Sequence, residues 1–339
     1  MTPRKPTLHD VAAAAGVSIA AVSFALRDKA GVSPETRERV LAAARELNYV
    51  VNVPARSLRT ARYGAVGLHL PPGSTRLPYY TEFAFGVVDA ADARGLSVIL
   101  LPHRAADDAT PPTAFVDGYI VVDATVEDAG IRAILDTGRP VVSGEHVLGG
   151  EDRVSASVVY DHDTALRGLL DHLTGRGATR VAAVLPPEGT AWSRELTQTY
   201  ADWTAKRGGI PVSRTISFVP TADEVDGAVA DILATDEVDA LIVAPSGSAA
   251  PALAAAHRAG RRVGDDLLLA AYVDEPMHAL LSPAVTSFDL EARAFGSACL
   301  ELLAAVTDAD TPVDRTRVIA PRLLVRASTG GEEAARDRE

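Results

Sequence analysis

Apolar residues change rhythm near residue 63. Before it they recur at helical spacing, as in Ile19, Val22 and Leu26, then Val40, Leu41, Ala44 and Leu47. Such spacing puts each set on one face of a helix. After it they gather into short runs, AVGLHL, LSVILL, GYIVV, PVVS, RVAAVL, DALIVA and LLLAAY, separated by helical stretches such as Glu82 to Arg94 and Leu290 to Val306. This alternation predicts parallel sheets covered by helices, with enough chain for two lobes.

The first segment carries its own punctuation. Thr7 and Asp10 form a T-x-x-D start that opens a helix through about Ala15. Gly16 supplies the left-handed backbone of a tight turn, and Ser18 caps a second helix from Ile19 to about Leu26. Ser33-Pro34-Glu35 starts a third, with cap, first-turn proline and an acid at the positive end of the dipole. Three helices with a glycine turn between the first two predict a helix-turn-helix. Projected at helical pitch, Ile19, Val22 and Leu26 face the core, and Ala20, Ala21 and Phe24 face away. Phe24 has two readings: packing on another part of the head, or contact with base edges such as thymine methyls in a DNA groove. In NVPARSLRTAR, Asn52 caps, Pro54 fits a first turn, and Arg56, Arg59 and Arg62 surround Leu58. That stretch is too short for a stable free helix. It is expected to fold when two copies meet on DNA, Leu58 wedging into the minor groove and the arginines on phosphates.

Charge sharpens this picture. Residues 1–62 hold ten Lys and Arg against five acids, +5, whereas the rest holds 23 basic against 40 acidic residues, −17. A basic head on an acidic body implies a polyanion partner for the head alone. No apolar run approaches the ~20 residues that span a bilayer, and no signal peptide is read, so a cytoplasmic location and no membrane partner are expected. Cys299 is the single cysteine, which excludes an internal disulfide and fits a reducing compartment.

The stretches TLHDVAAAAGVSIAAVS, GVSPETRERVLAAARELNY and ARSLRT resemble the DNA-binding head and hinge of the lactose-repressor (LacI-type) family of bacterial regulators. The resemblance implies DNA contact from Thr7, Ser18, Ile19, Ala20, Ala21, Ser23, Phe24 and Arg27, and from Asn52, Ala55, Arg56, Leu58 and Arg59 in the hinge. Ile19 and Ala20 match the base-contacting pair that opens the recognition helix. Leu58 matches the hinge leucine that kinks the centre of a palindromic operator. Phe24 departs from the family, which usually has a polar reader there, as do Ala21, Arg27 and the sequence NYVVN.

The body resembles the family's core, a two-lobed periplasmic-binding-protein-like α/β fold with parallel sheets, three crossover segments and a ligand cleft. The stretches that carry this are PYYTEFAFGVVDAADARG, VDGYIVV, VYDHDTALRGLLDHLTGRGATRVAAV, VDEPMHALLSPAVTSFDL and RLLVRAST. The implied division is 1–50 for the helix-turn-helix domain, 51–62 for the hinge helix, 63–328 for the effector-binding and dimerisation core, and 329–339 for a disordered tail. Within the core, the N-lobe takes 63–160 and 288–318 and the C-lobe 161–287 and 319–328. Between Leu101 and Val116 the chain is shorter than the family's and interrupted by Pro111-Pro112, which predicts an irregular link.

Sugar-binding members satisfy buried hydroxyls with a guanidinium, a carboxamide and carboxylates. Alignment puts Leu196 at the arginine position, with Arg194 two places earlier, Pro245-Ser246 at the Asn-Asp pair, and Val273 before Asp274. Each buried hydroxyl left unpaired costs ~1–3 kcal/mol, so simple sugars should bind poorly. Asp161 is retained, either as a helix cap or as a ligand contact. Tyr79, Trp192 and Tyr272 would line the cleft as aromatic walls, or serve as ordinary core, and His146 lies near a strand end. The candidate effector set is therefore Tyr79, His146, Asp161, Trp192, Arg194, Leu196, Ser246, Tyr272 and Asp274.

No nucleotide, metalloprotease or hydrolase motif occurs, and the eight histidines show no metal-ligand spacing. Neither an enzyme, a cofactor nor a metal is expected. The expected function is a homodimeric repressor on a palindromic operator in double-stranded DNA, controlled by a small-molecule effector other than a typical sugar. Two alternatives stay open: a degenerate pocket controlled by a protein partner, and a pure small-molecule binding protein.

Overall fold

The structure, a computed structural model, describes residues 6–26, 31–49, 62–102, 115–235, 237–308 and 313–330. The chain separates into two compact units, Met1–Tyr63 and Gly64–Glu339.

The first unit holds α1 (Leu8–Ala15), α2 (Ile19–Ala25) and α3 (Pro34–Glu46). Asp10 accepts from both the Thr7 backbone N–H (2.8 Å) and the Thr7 hydroxyl (2.7 Å), which fixes the start of α1. Gly16 ends α1 at φ 65°, a conformation that disfavours any side chain with a Cβ. Ser18 Oγ accepts from Ala21 N–H (3.1 Å), and Ser33 Oγ from Thr36 N–H (3.2 Å). Val11, Val22, Ala25, Val40 and Ala43 form the core. Two positions differ from the helical projection: Ile19 is 36% and Leu41 39% exposed. Ile19 is the first residue of α2, beyond the reach of α1 and α3, so the buried stripe runs through Val22, Ser23 and Ala25.

The second unit contains two six-stranded sheets. The first has the order β11-β5-β4-β3-β1-β2, all parallel, from β1 (Ala65–His69), β2 (Ser97–Leu100), β3 (Gly118–Val122), β4 (Val141–Gly144), β5 (Ala156–Tyr160) and β11 (Thr316–Ile319). The second has the order β12-β10-β9-β8-β6-β7, from β6 (Val181–Leu185), β7 (Val212–Thr215), β8 (Ala240–Val243), β9 (Leu268–Ala271), β10 (Thr286–Asp289) and an antiparallel β12 (Arg322–Leu324). Helices α4 (Pro78–Asp92), α5 (Ala129–Leu135), α6 (His162–Gly175), α7 (Ala191–Lys206), α8 (Ala222–Thr235), α9 (Ala249–Arg258) and α10 (Ala292–Val306) cover them. Strands β1, β3, β5 and β6 are buried at every residue, as parallel strands covered on both faces must be.

The chain passes between sheets after β5, after β10 and after β11. β10 keeps Phe288 and Asp289 in the second sheet and β11 keeps Ile319 in the first, so these crossings fall a residue or two later than the expected divisions. Thr329, expected in a disordered tail, is fully buried and hydrogen-bonded to Thr286 (2.7 Å) and His172 (2.9 Å). Most of the proline-interrupted link, 103–114, and the tail from 331 lie outside the described residues, as do Arg27, Asn52, Ala55, Arg56, Leu58 and Arg59.

Helices α4 and α10 meet backbone to backbone. A Cβ on Gly86 would stand 1.9 Å from the Arg293 carbonyl oxygen, and one on Gly296 2.0 Å from that of Phe83. Their approach drives Phe295 onto Tyr160, stacked at 4.2 Å, beside Gly144, where a Cβ would lie 2.9 Å from the Phe295 ring. Gly86→Ala is expected to lower stability to chemical unfolding by about 1–3 kcal/mol, because the helices must part. Gly168→Ala, with nothing within 4 Å of the new methyl, should be neutral or stabilising by up to about 1 kcal/mol. Equal effects would exclude the close approach.

Candidate functional site

Two surfaces carry candidate chemistry, one in each unit. In the head, Ser18, Ile19, Ala20 and Phe24 are exposed on α2, and Ala21 is half-buried. Phe24 is 39% exposed; its ring also rests against Gly31, 3.5 Å from where a Cβ would stand. Arg37 donates to the Ala25 carbonyl (3.3 Å) and ties the end of α2 to α3. Two residues assigned to the DNA set differ in place. Ser23 is 7% exposed, because it shares the core-facing side with Val22, and the Thr7 hydroxyl is engaged with Asp10 in the cap.

In the second unit a cavity of about 50 Å³ lies where the carboxyl ends of both sheets converge, lined by Tyr79, Tyr80, Asp123, Glu145, Tyr160, His162, Trp192, Phe218, Ser246 and Tyr272 with Leu77, Pro245, Val273 and Leu290. In each sheet the strand order reverses here, between β1 and β3 and between β6 and β8. Such a switch point opens a crevice. Asp123 directly follows β3 and Glu145 directly follows β4. Both hold left-handed backbone, φ 49° and 68°, at a cost of about 1 kcal/mol or more each.

These two acids are almost fully buried and tightly held. Tyr80 donates its hydroxyl to Asp123. Glu145 Oε1 accepts from Tyr160 N–H (3.1 Å) and lies 3.2 Å from His162 Nε2. His162 Nδ1 pairs with the Tyr272 hydroxyl at 2.7 Å, and Tyr160 donates to the Leu290 carbonyl at 2.5 Å. Burial pushes the Asp123 carboxyl up to about 7, against the opposing hydrogen bond from Tyr80 and with the help of neighbouring Glu145. Burial works to lower the His162 imidazole, but the adjacent Glu145 outweighs it and raises it. Burial and neighbouring charges also raise the phenols of Tyr79, Tyr80, Tyr160 and Tyr272 well above the usual range, so they remain neutral donors.

Of the residues assigned to the effector set, Tyr79, Trp192, Ser246 and Tyr272 line the cavity and five do not. Asp161 is the N-cap of α6, its Oδ1 accepting from Thr164 N–H (3.0 Å); the next residue, His162, turns inward. Leu196 is fully buried in the lobe, one turn deeper on α7 than Trp192, and Arg194 on the other side of α7 is exposed beside Glu188. His146 faces an open groove with Arg194 and Glu195, because the left-handed turn at Glu145 sends its neighbour away. Asp274 is claimed by Arg326 (2.7 and 3.2 Å) and Ser287 (2.5 Å). Despite burial, hydrogen bonds from His278, Arg326 and Ser287 hold its carboxyl far below the usual range. Sequence reasoning missed Tyr80, Asp123, Glu145, Tyr160, His162 and Phe218. The signal for two of them was an acid directly after an apolar strand.

No group of three or more His, Cys, Asp and Glu among the described residues could hold a metal, and no single helix among them is long and apolar enough to cross a membrane.

A raised carboxyl makes folding take up a proton between the unfolded carboxyl range and about pH 7, so the Asp123 contribution to stability falls as pH rises through that window. Asp123→Asn keeps an acceptor for Tyr80 and cannot ionise. Its thermal midpoint should fall less steeply than the parent's between about pH 4 and 7, and parallel curves would mean that Asp123 is ionised throughout.

Comparison with known proteins follows the same division. Residues 7–52 match the model for bacterial regulatory proteins of the lacI family, and residues 170–329 match that for a periplasmic-binding-protein-like domain. The chain is 28% identical to the HTH-type transcriptional regulator CelR of Thermobifida fusca, over 96% of this chain and 98% of that protein. It is 26% identical to a ribose operon repressor of Halalkalibacterium halodurans, over 96% and 98%. Among solved structures, the lac repressor dimer bound to operator and the anti-inducer ONPF superposes with a TM-score of 0.80 at 23% identity, covering 96% of this chain and 99% of that one. A CelR–cellobiose complex gives 0.70 at 26% identity, covering 95% and 99%. A helix-turn-helix head joined to a two-lobed binding-protein core, with both parts matched, places this chain in the lacI family of DNA-binding transcriptional regulators.

Proposed function

We propose that this chain is a repressor that binds a palindromic operator as a homodimer and responds to a small molecule, other than a typical sugar, held between its lobes. The observation that carries the DNA side is the outward face of α2, where Ile19, Ala20 and Phe24 lie together while Val22 and Ala25 lock the opposite side into the core. Affinity comes from the +5 head at phosphates. Selectivity comes from apolar contacts such as thymine methyls against Phe24 and Ala20, and from the cost of kinking DNA at Leu58. Two heads in successive major grooves, with paired hinges at the dyad, fit the twofold geometry of such operators.

The ligand side rests on the lining of the cleft. A sugar presents many hydroxyls that need both donors and acceptors when buried. CelR is seen with cellobiose, but among the described residues no Arg, Lys, Asn or Gln lines the cavity here. Three chain crossings join the lobes, so a ligand that favours one lobe arrangement can shift the order of the hinge.

Sequencing DNA fragments enriched by the full chain tests the reading, and a shared inverted repeat is the expected result. Recovery of unrelated fragments at moderate ionic strength would refute it. Leu58→Ala should lower affinity for the repeat about tenfold more than for random DNA; equal losses would deny the wedge. Phe24→Ala should change preference at one position in each half-site by about 1 kcal/mol, and an unaltered profile would leave Phe24 as packing against Gly31.

A further inference from the structure

The cleft is walled by a run of rings drawn from both lobes. Tyr79 meets Tyr80 edge-on at 5.0 Å, Tyr80 meets Phe218 at 6.2 Å, and Phe218 meets Trp192 at 6.1 Å. Trp192 then meets His162 at 6.3 Å, and His162 meets Tyr160 at 5.7 Å. Tyr79 and Tyr160, the two ends of this run, line the same cavity. Into this enclosure come the carboxyl groups of Asp123 and Glu145, and among the described residues no Lys or Arg side chain lines it.

Ring faces carry negative quadrupole potential, and a buried carboxylate adds full charge. One histidine offsets two acids here, and Glu195 adds a third acid close to that histidine. An anionic ligand would be repelled. A neutral ligand would leave Asp123 holding its proton and Glu145 relying on His162, since buried charge is tolerated only when paired. A cation is attracted by both the rings and the acids. We propose that the cleft takes an organic ammonium ion, its charged head enclosed by Tyr80, Trp192 and Phe218 and balanced by Asp123 and Glu145. The inference rests on reading the cleft as the effector site, and it names the class of effector.

Size and polarity refine the class. The cavity of about 50 Å³ accommodates the head group alone. An open groove of about 780 Å³ shares Leu77, Tyr79, Val273 and Leu290 with it and offers the remainder of the molecule a partly apolar path. Trp192 Nε1–H is buried with no acceptor among the described residues, a donor that a hydroxyl or carbonyl near the ammonium would satisfy.

Calorimetry on the full chain, free of DNA, tests this with two matched pairs: choline against its uncharged tert-butyl carbon isostere, and n-butylammonium against n-butanol. At least one ammonium should bind about tenfold or more tightly than its isostere. Asp123→Asn and Glu145→Gln should each narrow that ratio. Phe218→Leu, which alters no hydrogen bond of the acids, should weaken the cation and spare the isostere, and it decides the matter if the amide variants fail to fold. Equal binding within both pairs, or binding of none of the four, overturns the inference. Operator binding by the same preparation separates the two readings: DNA binding without ammonium binding removes only the ligand class, whereas ammonium binding without any preferred DNA removes the regulator.

Discussion

The acids at the ends of β3 and β4 face a conflict between charge and burial that organises the cleft around them. Ionised carboxylates in an apolar enclosure are costly unless paired and hydrogen-bonded. Glu145 has His162 as its counter-charge and the Tyr160 backbone as a donor, and Tyr272 in turn orients His162; Asp123 has only the Tyr80 hydroxyl as a donor and keeps its proton up to about pH 7. These partners come from α4, from the β5–α6 crossing and from the end of β9 in the other sheet. The polar network therefore spans the two lobes, and any relative movement of the lobes changes how well the acids are satisfied. This gives ligand occupancy a route to lobe arrangement without a separate relay.

The packing behind the cleft makes that network rigid. Glycines 86 and 296 let α4 and α10 touch, and Phe295 carries the contact inward to Tyr160 and to Gly144, the residue before Glu145. A close-packed interior transmits such displacements instead of absorbing them. In the head, a different economy holds. A short α2 is pinned by its Ser18 cap and by Arg37, which leaves its apolar outer face available to a groove.

Much of this arrangement could be read from the residues. The seven apolar runs are strands, and the caps at Thr7, Ser18 and Ser33 mark helix starts, because local hydrogen-bond needs and burial on both sheet faces are written in neighbouring positions. The cleft was only half legible. Tyr79, Trp192, Ser246 and Tyr272 line it, but family positions led to Asp161 and Asp274 when the buried acids were Asp123 and Glu145. Which of two adjacent residues turns inward, Asp161 or His162, depends on a single step of backbone. Asp274 was lost to Arg326, a partner 52 residues along the chain that no local pattern reveals. Ile19 shows the same limit on a small scale, since helical pitch does not say where neighbouring helices end.

On the proposed function, occupancy of the cleft and grip on DNA are one equilibrium. The most direct measurement is the affinity of the full chain for its selected inverted repeat, titrated at fixed salt with whichever ammonium binds, together with ammonium affinity in the presence and absence of that DNA. Linkage requires the two factors to be equal, and a coupling of about 5- to 150-fold is predicted. Operator affinity that stays constant while the cleft saturates would contradict the account.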